Sequence, residues 1–395
     1  MATASPWQHP LGAQADIVIV GGGIIGAATA FWLRRLAPER SVLLLEARHL
    51  AYGASGRNAG FLLLGTHSDY ASAVDTYGRD RAQRIWQFTR ETYRHILDDV
   101  DTGQIGLETK GSVIAAGTAE EADRLRRSQQ LLAEDGVESR WIEPAEVEAR
   151  TGLRGMHGAL VVPDGGAIHP VQLVRQLVAE SGALVREGIA VRDIESAGDG
   201  VQIGIRAGGS LVANQVLLAP GPRLPKLVPA LADAVRPIRA QMLATGPLPP
   251  RLPRPVYSHE GYFYLRQRDD GRLFLGGARH LHRADEVGFV DATTKALQAD
   301  LERYLHQHIP STRGAAIERR WSGTMGFSPN GLPSLGDVPD VPNALYATGF
   351  TGHGMGYGVR FGLLAARRLL GQADEADDLF GDATNLNPAA QPDVL

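Results

Sequence analysis

The 395 residues predict an α/β protein built on a mostly parallel sheet, with a second, α+β part interleaved into the chain. Three observations carry this. Residues 16–46 read as strand, glycine turn, helix and strand. A second glycine-rich strand-to-helix junction stands far away, at 343–370. Between them, short strands and helices alternate around one clear hairpin at 261–277.

Composition sets the bounds. At this length one large or two medium domains are expected, and 44% hydrophobic with 21% charged residues is ordinary for a globular chain. A net charge of -4 gives no basic footprint for nucleic acid and no polybasic membrane anchor. No apolar run reaches the eighteen or so residues that span a bilayer. Residues 1–14 lack the cationic start and apolar stretch of a secretory signal, so a loosely held lead-in and a cytoplasmic protein are expected. Cysteine is absent, which removes disulfides, thiolate metal sites and cysteinyl–flavin bonds.

Residues 16–20 are a short apolar, β-branched run suited to a buried parallel strand. Gly21, Gly23 and Gly26 then fall on the G-x-G-x-x-G spacing. They serve the tight turn, the close approach of backbone to a pyrophosphate, and the packing of helix on strand. The helix starting near Ile24 and Ile25 aims unpaired N–H groups and its positive dipole end at that pyrophosphate. Glu46, about twenty residues on, stands where a carboxylate accepts hydrogen bonds from an adenosine ribose. NAD and FAD both satisfy this fingerprint.

Residues 51–61 are rich in small side chains, which lets backbone run tightly over a flat ligand. The stretch 70–100 has an amphipathic helical pattern with Ile85, Phe88, Ile96 and Leu97 inward. Residues 106–116 read as two short strands around Lys110 and Gly111, and 118–135 as a helix opened by a Thr118/Glu121 capping box. After a turn at 163–170, Pro170 begins a helix to about Ser181. Short strands follow over 183–195 and 201–218, the last of them resembling a strand of the nucleotide sheet. A proline-rich crossing is expected at 222–254, the hairpin turns at Asp270 and Gly271, and a helix is expected over 290–308.

At the second junction, a short strand ends at Gly349, the run 350–358 carries Gly352, Gly354 and Gly356, and 359–370 reads as helix. Such a turn sets N–H groups and a positive dipole end against a ligand. A reduced flavin, negative along its pyrimidine edge, is a fitting one.

These blocks together resemble the D-amino-acid-oxidase-type family of FAD enzymes, which includes glycine oxidase, sarcosine oxidase and gamma-glutamylputrescine oxidase. The resemblance covers most of the chain: residues 19–26 with Ala30 and Leu33, Glu46, Gly53-Ala-Ser-Gly-Arg-Asn-Ala-Gly60, Asp164-Gly-Gly with Pro170, the Tyr264-Leu-Arg hairpin to Gly277, Trp321-Ser-Gly323 with Pro333 and Gly336, and Tyr346-Ala-Thr-Gly-Phe-Thr-Gly-His-Gly354. The 54–60 block and the hairpin look most like the gamma-glutamylputrescine oxidase branch.

The resemblance implies a Rossmann-like FAD-binding domain over 14–83, 168–235 and 321–375, interleaved with an antiparallel-sheet substrate domain over 84–167 and 236–320, with terminal extensions at 1–13 and 376–395. It implies non-covalent FAD held by Gly21, Gly23, Ile24, Ile25, Gly26, Glu46, Ala47, Ser55, Gly56, Arg57, Asn58, Ala59, Gly60, Val191 and Gly221. Gly323, Gly349, Thr351, Gly352, His353, Gly354, Met355 and Gly356 complete that site. His353, Tyr264 and Arg57 are the catalytic candidates, and Tyr262, Tyr264 and Met325 the substrate pocket. The implied chemistry is oxidation of a C–H bond beside an amine nitrogen, with the imine then hydrolysed and oxygen or another acceptor taking the electrons.

The chain departs from the family at its cations. An arginine that holds the substrate carboxylate in glycine-oxidase-like members would map to Met325, and a lysine of sarcosine-oxidase-like members to Gly356. A lysine that serves oxygen chemistry would map near Phe274. The substrate is therefore expected to be an amine without an adjacent carboxylate, or one held by Arg57 or Arg266, because an unpaired buried carboxylate is costly. The rival readings are an amino-acid oxidase proper, a flavin module of a tRNA-modifying enzyme, a redox subunit without its own substrate, and an NAD-dependent dehydrogenase.

Overall fold

The computed structural model describes residues 14–381. The expected N-terminal extension at 1–13 and the part of the C-terminal one beyond 381 lie outside the described residues.

The described residues form two eight-stranded sheets and a two-stranded one, Phe61–Leu62 with Gly166–Ala167. In the first, Gln14–Val20 lies between Val42–Leu45 and Ser210–Leu218, parallel to both. Leu184–Arg186 extends it beyond Val42–Leu45, and Ala344–Thr348 beyond Ser210–Leu218, again in parallel. Alternation along the first strand explains the burial on both faces. Ile17 and Ile19, wholly buried, point into the helical layer with Ala27, Ala28 and Phe31. Val18 and Val20 point the other way, into a core closed by the antiparallel strands Val191–Ala197 and Gly200–Ile205. A side chain such as Ile19, fully removed from water, contributes about 1.5–3 kcal/mol.

The helices Ile24–Leu36 and Gly354–Leu369 pack side by side on the sheet. They approach closely because the second is glycine-dotted where they meet: a Cβ at Gly362 would lie 2.4 Å from that of Ala28. Trp32 Nε1 donates to Val359 O at 2.9 Å across the same contact.

The second sheet runs Ile317–Phe327, Arg236–Pro247, Arg272–Gly277, Phe263–Gln267, Val256–Ser258, Ser112–Ala115, Ala159–Val162 and Arg140–Ile142. It is antiparallel except where Val256–Ser258 meets Ser112–Ala115. Helix Lys295–His308 covers one face through Leu297, Leu301 and Leu305.

Several expected elements differ. The proline-rich crossing contains the twelve-residue strand Arg236–Pro247, in the body of the second sheet; its prolines sit near the ends and leave the middle free to pair. The 70–100 helix is two helices, Tyr70–Tyr77 and Arg79–Asp99, broken at Gly78 with φ +82°. Leu97, expected inward, is 42% exposed, whereas Ile85, Phe88 and Ile96 are buried. Only one of the two strands expected in 106–116 forms; Glu108 makes a single bridge to Ala167. The capping box is half made: Thr118 accepts from Glu121 N, but the Glu121 carboxylate reaches Gly117 N and Glu260 N. The 290–308 helix begins at Lys295, since Asp291 is drawn to Arg57 and the Thr294 hydroxyl to Gln241.

The expected domain limits at 83/84 and 320/321 fall inside the helix Arg79–Asp99 and the strand Ile317–Phe327. That helix packs on the C-terminal one, where Thr92 Oγ1 donates to Tyr357 O at 3.0 Å. Of the segment taken as a C-terminal extension, Ala376, Leu379 and Phe380 are core residues. Phe380 stands edge-on to Phe88 at 4.7 Å. No helix among the described residues is long and apolar enough to cross a membrane.

Candidate active site

Parallel strands put both glycine junctions at the same edge, beyond the carboxyl ends of Gln14–Val20 and Ala344–Thr348, where ligands of such sheets bind. At the first, Gly21 has φ +116° and a Cβ there would lie 2.4 Å from Ala219 O. A Cβ at Gly26 would stand 2.0 Å from Gly21 O, so helix and turn touch backbone to backbone. Ile24 N donates to Ser55 Oγ at 2.9 Å, which brings the 54–60 block over the helix N-terminus, and a Cβ at Gly23 would be 3.0 Å from the same oxygen. Ile24 and Ile25 bury their side chains and offer the site backbone alone. Glu46 accepts from Gly22 N and Arg48 N, both at 2.8 Å, so its carboxylate stands beside the turn; Ala47 next to it is exposed.

The 54–60 block is folded by its own amide. Asn58 donates to Ala54 O and Ser55 O, at 2.9 and 3.0 Å, and accepts from Gly60 N at 2.6 Å. Gly56 and Gly60 leave no room for a side chain: a Cβ would meet Ala51 O and Ile168 O, each at 2.1 Å. Arg57 crosses to the second sheet, donating to Ser322 O at 2.9 Å and pairing with Asp291 at 2.5 Å. Gly323 is where it passes, with a would-be Cβ 2.9 Å from that of Arg57.

At the second junction, Thr351 takes φ +45°, unusual for a branched residue, fixed by Thr351 N to Gly326 O at 2.9 Å and by Ser328 N to its hydroxyl at 3.2 Å. His353 caps the helix that opens at Gly354, earlier than the 359 expected. Gly349 lies over Ser328, and Gly221 turns beside the same strand, where Thr348 Oγ1 donates to its carbonyl at 3.3 Å. Val191 opens the strand Val191–Ala197 with its side chain buried.

A cavity of about 790 Å³ opens between this junction, the 57–70 segment and the second sheet. Ala59, Thr351, Gly352, His353, Met355 and Gly356 line it on one side, and Tyr257, Tyr262, Tyr264, Gly323 and Met325 on the other. The size is that of a small-molecule site. Tyr257 stands 6.1 Å from Tyr264 and 5.9 Å from His353, ring centre to ring centre. Burial pushes Tyr264 up to about 12 and Tyr257 higher, so both hydroxyls keep their protons. Burial pushes His353 down to about 3 and His67 to about 4, so both rings are neutral. His67, which the sequence reading passed over, lines the cavity, and its Nδ1 is buried without a hydrogen-bond partner.

One expectation about cations is corrected. Arg266 does not line the cavity; it is buried against Ala59 O, Gly60 O and Ile168 O and pairs with Glu108 at 2.8 Å, tying the second sheet to the 54–60 block. Arg57, the other candidate, does line it. Arg124, Arg279 and Arg283 also line it. Ala278, buried at φ +58°, turns the chain out of the sheet at the end of Arg272–Gly277, and Arg279 follows at once. The Arg279 guanidinium lies 5.0 Å above the Phe327 ring, and Arg283 donates to the Tyr262 hydroxyl at 2.9 Å. Tyr262 itself precedes the strand Phe263–Gln267 and rests on His280 at 4.4 Å. At Gly356 a Cβ would lie 2.5 Å from Leu63 O, which closes the lysine position by backbone.

The residues fit FAD. Each turn has glycines packed backbone to backbone, Gly21 and Gly26 at the first and Gly356 at the second, and both junctions face the same edge of the sheet. Glu46 flanks the first, and the cavity begins at the second.

Comparison with known proteins agrees. The family model described as DAO, FAD dependent oxidoreductase, matches residues 16–368. A probable oxidoreductase OrdL of Rhizobium meliloti (strain 1021) is 28% identical over 376 residues, covering 92% of this chain and 85% of the relative. A glycine oxidase of Geobacillus kaustophilus (strain HTA426) is 28% identical over 361 residues, covering 89% and 92%. The gamma-glutamylputrescine oxidoreductase of Escherichia coli (strain K12) is 27% identical over 381 residues, covering 92% and 85%. Among solved structures, the glycine oxidase from Geobacillus kaustophilus superposes with a TM-score of 0.77 at 24% identity, covering 93% of this chain and 98% of that one.

Proposed function

The chain belongs to the FAD-dependent oxidoreductase family, and from that premise we propose that it oxidises the C–N bond of a small amine or amino acid in the cavity beside Thr351–Gly356. The observation that carries this reading is the shared wall: the glycine junction that suits a flavin ring also bounds a tyrosine-lined space large enough for a substrate.

FAD, when bound, supplies the acceptor for two electrons and a hydrogen. The substrate loses the hydrogen from the carbon beside nitrogen together with that electron pair, and leaves as an imine. Water then hydrolyses the imine to a carbonyl compound and an amine or ammonia. Oxygen, in this reading, takes the electrons and becomes hydrogen peroxide.

The protein's part is binding and orientation. The first turn of Gly354–Leu369 presents N–H groups and a positive dipole end to negative charge on the ring. The neutral hydroxyls of Tyr257 and Tyr264 and the neutral imidazoles of His67 and His353 give hydrogen-bonding groups without placing charge against the reacting carbon. Met242, Leu63 and Phe61 form an apolar part of the wall, a surface that does not hold water. Arg57 acts as a clamp between the 54–60 block and the second sheet while it lines the cavity.

An oxidase releases one hydrogen peroxide per amine consumed under air; substrate turnover without peroxide, restored by an artificial electron acceptor, makes the protein a dehydrogenase and overturns the choice of oxygen. The flavin is expected in the supernatant after acid precipitation, because cysteine, and with it a cysteinyl link, is absent. Flavin that stays with the pellet contradicts non-covalent binding.

A further inference from the structure

We propose that the cavity has an apolar limb, walled by Leu64, Tyr70, Trp86, Ile114, Leu125 and Val162, that takes an uncharged hydrocarbon tail of the substrate and selects amines by its length. This deepens the reading above and rests on it for the word substrate, though not for the limb itself.

The register of the second sheet lays out the floor. Met242, Gly276, Tyr264, Tyr257, Ile114 and Leu160 are successive direct partners on neighbouring strands, so they share one face in a row across the sheet. Gly276 gives its side-chain space to Tyr264, whose ring leans over it: a Cβ there would lie 2.2 Å from Tyr264 Cε2. Tyr257 is the member that meets His353, at 5.9 Å between ring centres. Neighbouring strands lie about 5 Å apart, and Ile114 stands one strand beyond Tyr257, on the side away from Tyr264. The row therefore carries the cavity past the second glycine junction and out along the sheet.

The walls there are hydrocarbon. Leu125 and Val162 are buried in the core beneath, and Tyr70 and Trp86 stand edge to face at 5.4 Å. Gly65 lets the chain lie against the indole, since a Cβ there would be 3.0 Å from Trp86 Cε3. Leu64 and Ile114 pack on the same core yet stay half-buried, and both line the cavity. Apolar surface left open inside a protein gains free energy when an apolar group covers it. The charged groups that share this side of the cavity are engaged with one another. Arg124 pairs with Glu260 and stands 3.8 Å from Asp69, which accepts from Ser72 N at 3.0 Å and Ser128 Oγ at 2.9 Å. The Glu121 carboxylate is held by Gly117 N at 2.6 Å and Glu260 N at 2.7 Å. A charged tail would have to break into that network, whereas an uncharged one leaves it intact.

The test uses the FAD-loaded protein and calorimetric titration with the straight-chain alcohols from ethanol to n-hexanol, none of which is an amine. Affinity is expected to rise about fourfold for each methylene that enters the limb. The matching diol, with a hydroxyl at each end of the same six-carbon chain, should bind about tenfold more weakly than n-hexanol. Ile114→Trp fills the limb from its floor and should cost n-hexanol about tenfold or more relative to ethanol. Ile114→Thr, close in shape but with a hydroxyl on the wall, serves where the tryptophan variant does not fold and should cost about threefold on the same ratio. In turnover, the ratio of kcat/KM for n-hexylamine to that for ethylamine should fall in Ile114→Trp by about the same tenfold, through KM rather than kcat. An affinity that does not rise with chain length, a diol that binds as well as the alcohol, or a rise that both variants keep overturns the proposal. Because the titration needs no turnover, a protein whose limb takes n-hexanol yet oxidises no amine refutes the enzymatic reading alone.

Discussion

Gly26→Val is expected to give protein that folds but purifies with almost no flavin. A Cβ at this position would stand 2.0 Å from Gly21 O and 3.1 Å from Ile19 Cγ2. Carbonyl and strand side chain are both fixed, Gly21 by the bond from its N–H to Leu45 O at 2.8 Å and Ile19 by complete burial. The helix must therefore back away from the turn, and the N–H groups meant for a pyrophosphate move with it. A loss of about 3 kcal/mol in FAD binding, two orders of magnitude in Kd, is the rough scale. The ratio of flavin to protein absorbance after purification reads it directly, with far-ultraviolet circular dichroism as the check on folding. A variant that keeps its full complement of flavin would remove the first glycine turn from the cofactor site.

How much of this was legible in the sequence follows from how local each signal is. The first glycine turn, Glu46 and the hairpin are encoded by neighbours in the chain, and each formed where the spacing placed it. Pro170 at a helix start and Thr118 at a cap are of the same kind. Arg279 was not legible, because what aims it is a positive φ at Ala278, a residue with no preference for one. His67 lacked a signal for a similar reason: it lies in an irregular stretch, 63–69, whose path is set by contacts far along the chain. Arg266 reads as a candidate anchor on its strand until the carbonyls of Ala59, Gly60 and Ile168, 98 to 207 residues away, are seen to occupy it. The strand Arg236–Pro247 was hidden by composition, since prolines on both sides of its central pairs give the whole stretch the look of a linker.

The largest expected loss of stability belongs to Arg360→Ala. Arg360, 2% exposed on the C-terminal helix, donates to Glu91 at 2.7 Å and to both oxygens of Asp374 at 3.0 and 2.6 Å. Asp374 also receives Arg367 at 2.7 Å and Ala376 N at 2.9 Å. These bonds fasten the segment carrying Leu379 and Phe380 to the helix that begins at the second glycine junction. Truncation leaves a buried carboxylate short of its main partner, which costs about 3–5 kcal/mol. Urea unfolding of the flavin-loaded protein measures it; a midpoint equal to that of the wild type contradicts the account. The paired change Arg360→Met with Asp374→Leu should recover much of the loss, since a well-packed apolar pair replaces a buried ion pair at little cost.

The same pair sets a dependence on pH. Burial raises the Asp374 carboxyl, but its bonds to Arg360 and Ala376 N outweigh that and hold it below the ordinary carboxylate range. Its folded-state value is therefore the lower one. The stabilisation is complete above the unfolded carboxylate value and disappears as the pH falls through the folded one.

The reading of two glycine turns serving one flavin beside a substrate cavity is tested most directly by anaerobic reduction. The FAD-loaded protein, free of oxygen, is mixed with a panel of amines, N-methyl amino acids, amino acids and polyamines, and the visible flavin band is followed. At least one compound should bleach it completely, with one substrate consumed per flavin and a carbonyl product appearing. Flavin that stays oxidised against every amine in the panel, yet bleaches with a chemical reductant, would contradict an amine-oxidising site.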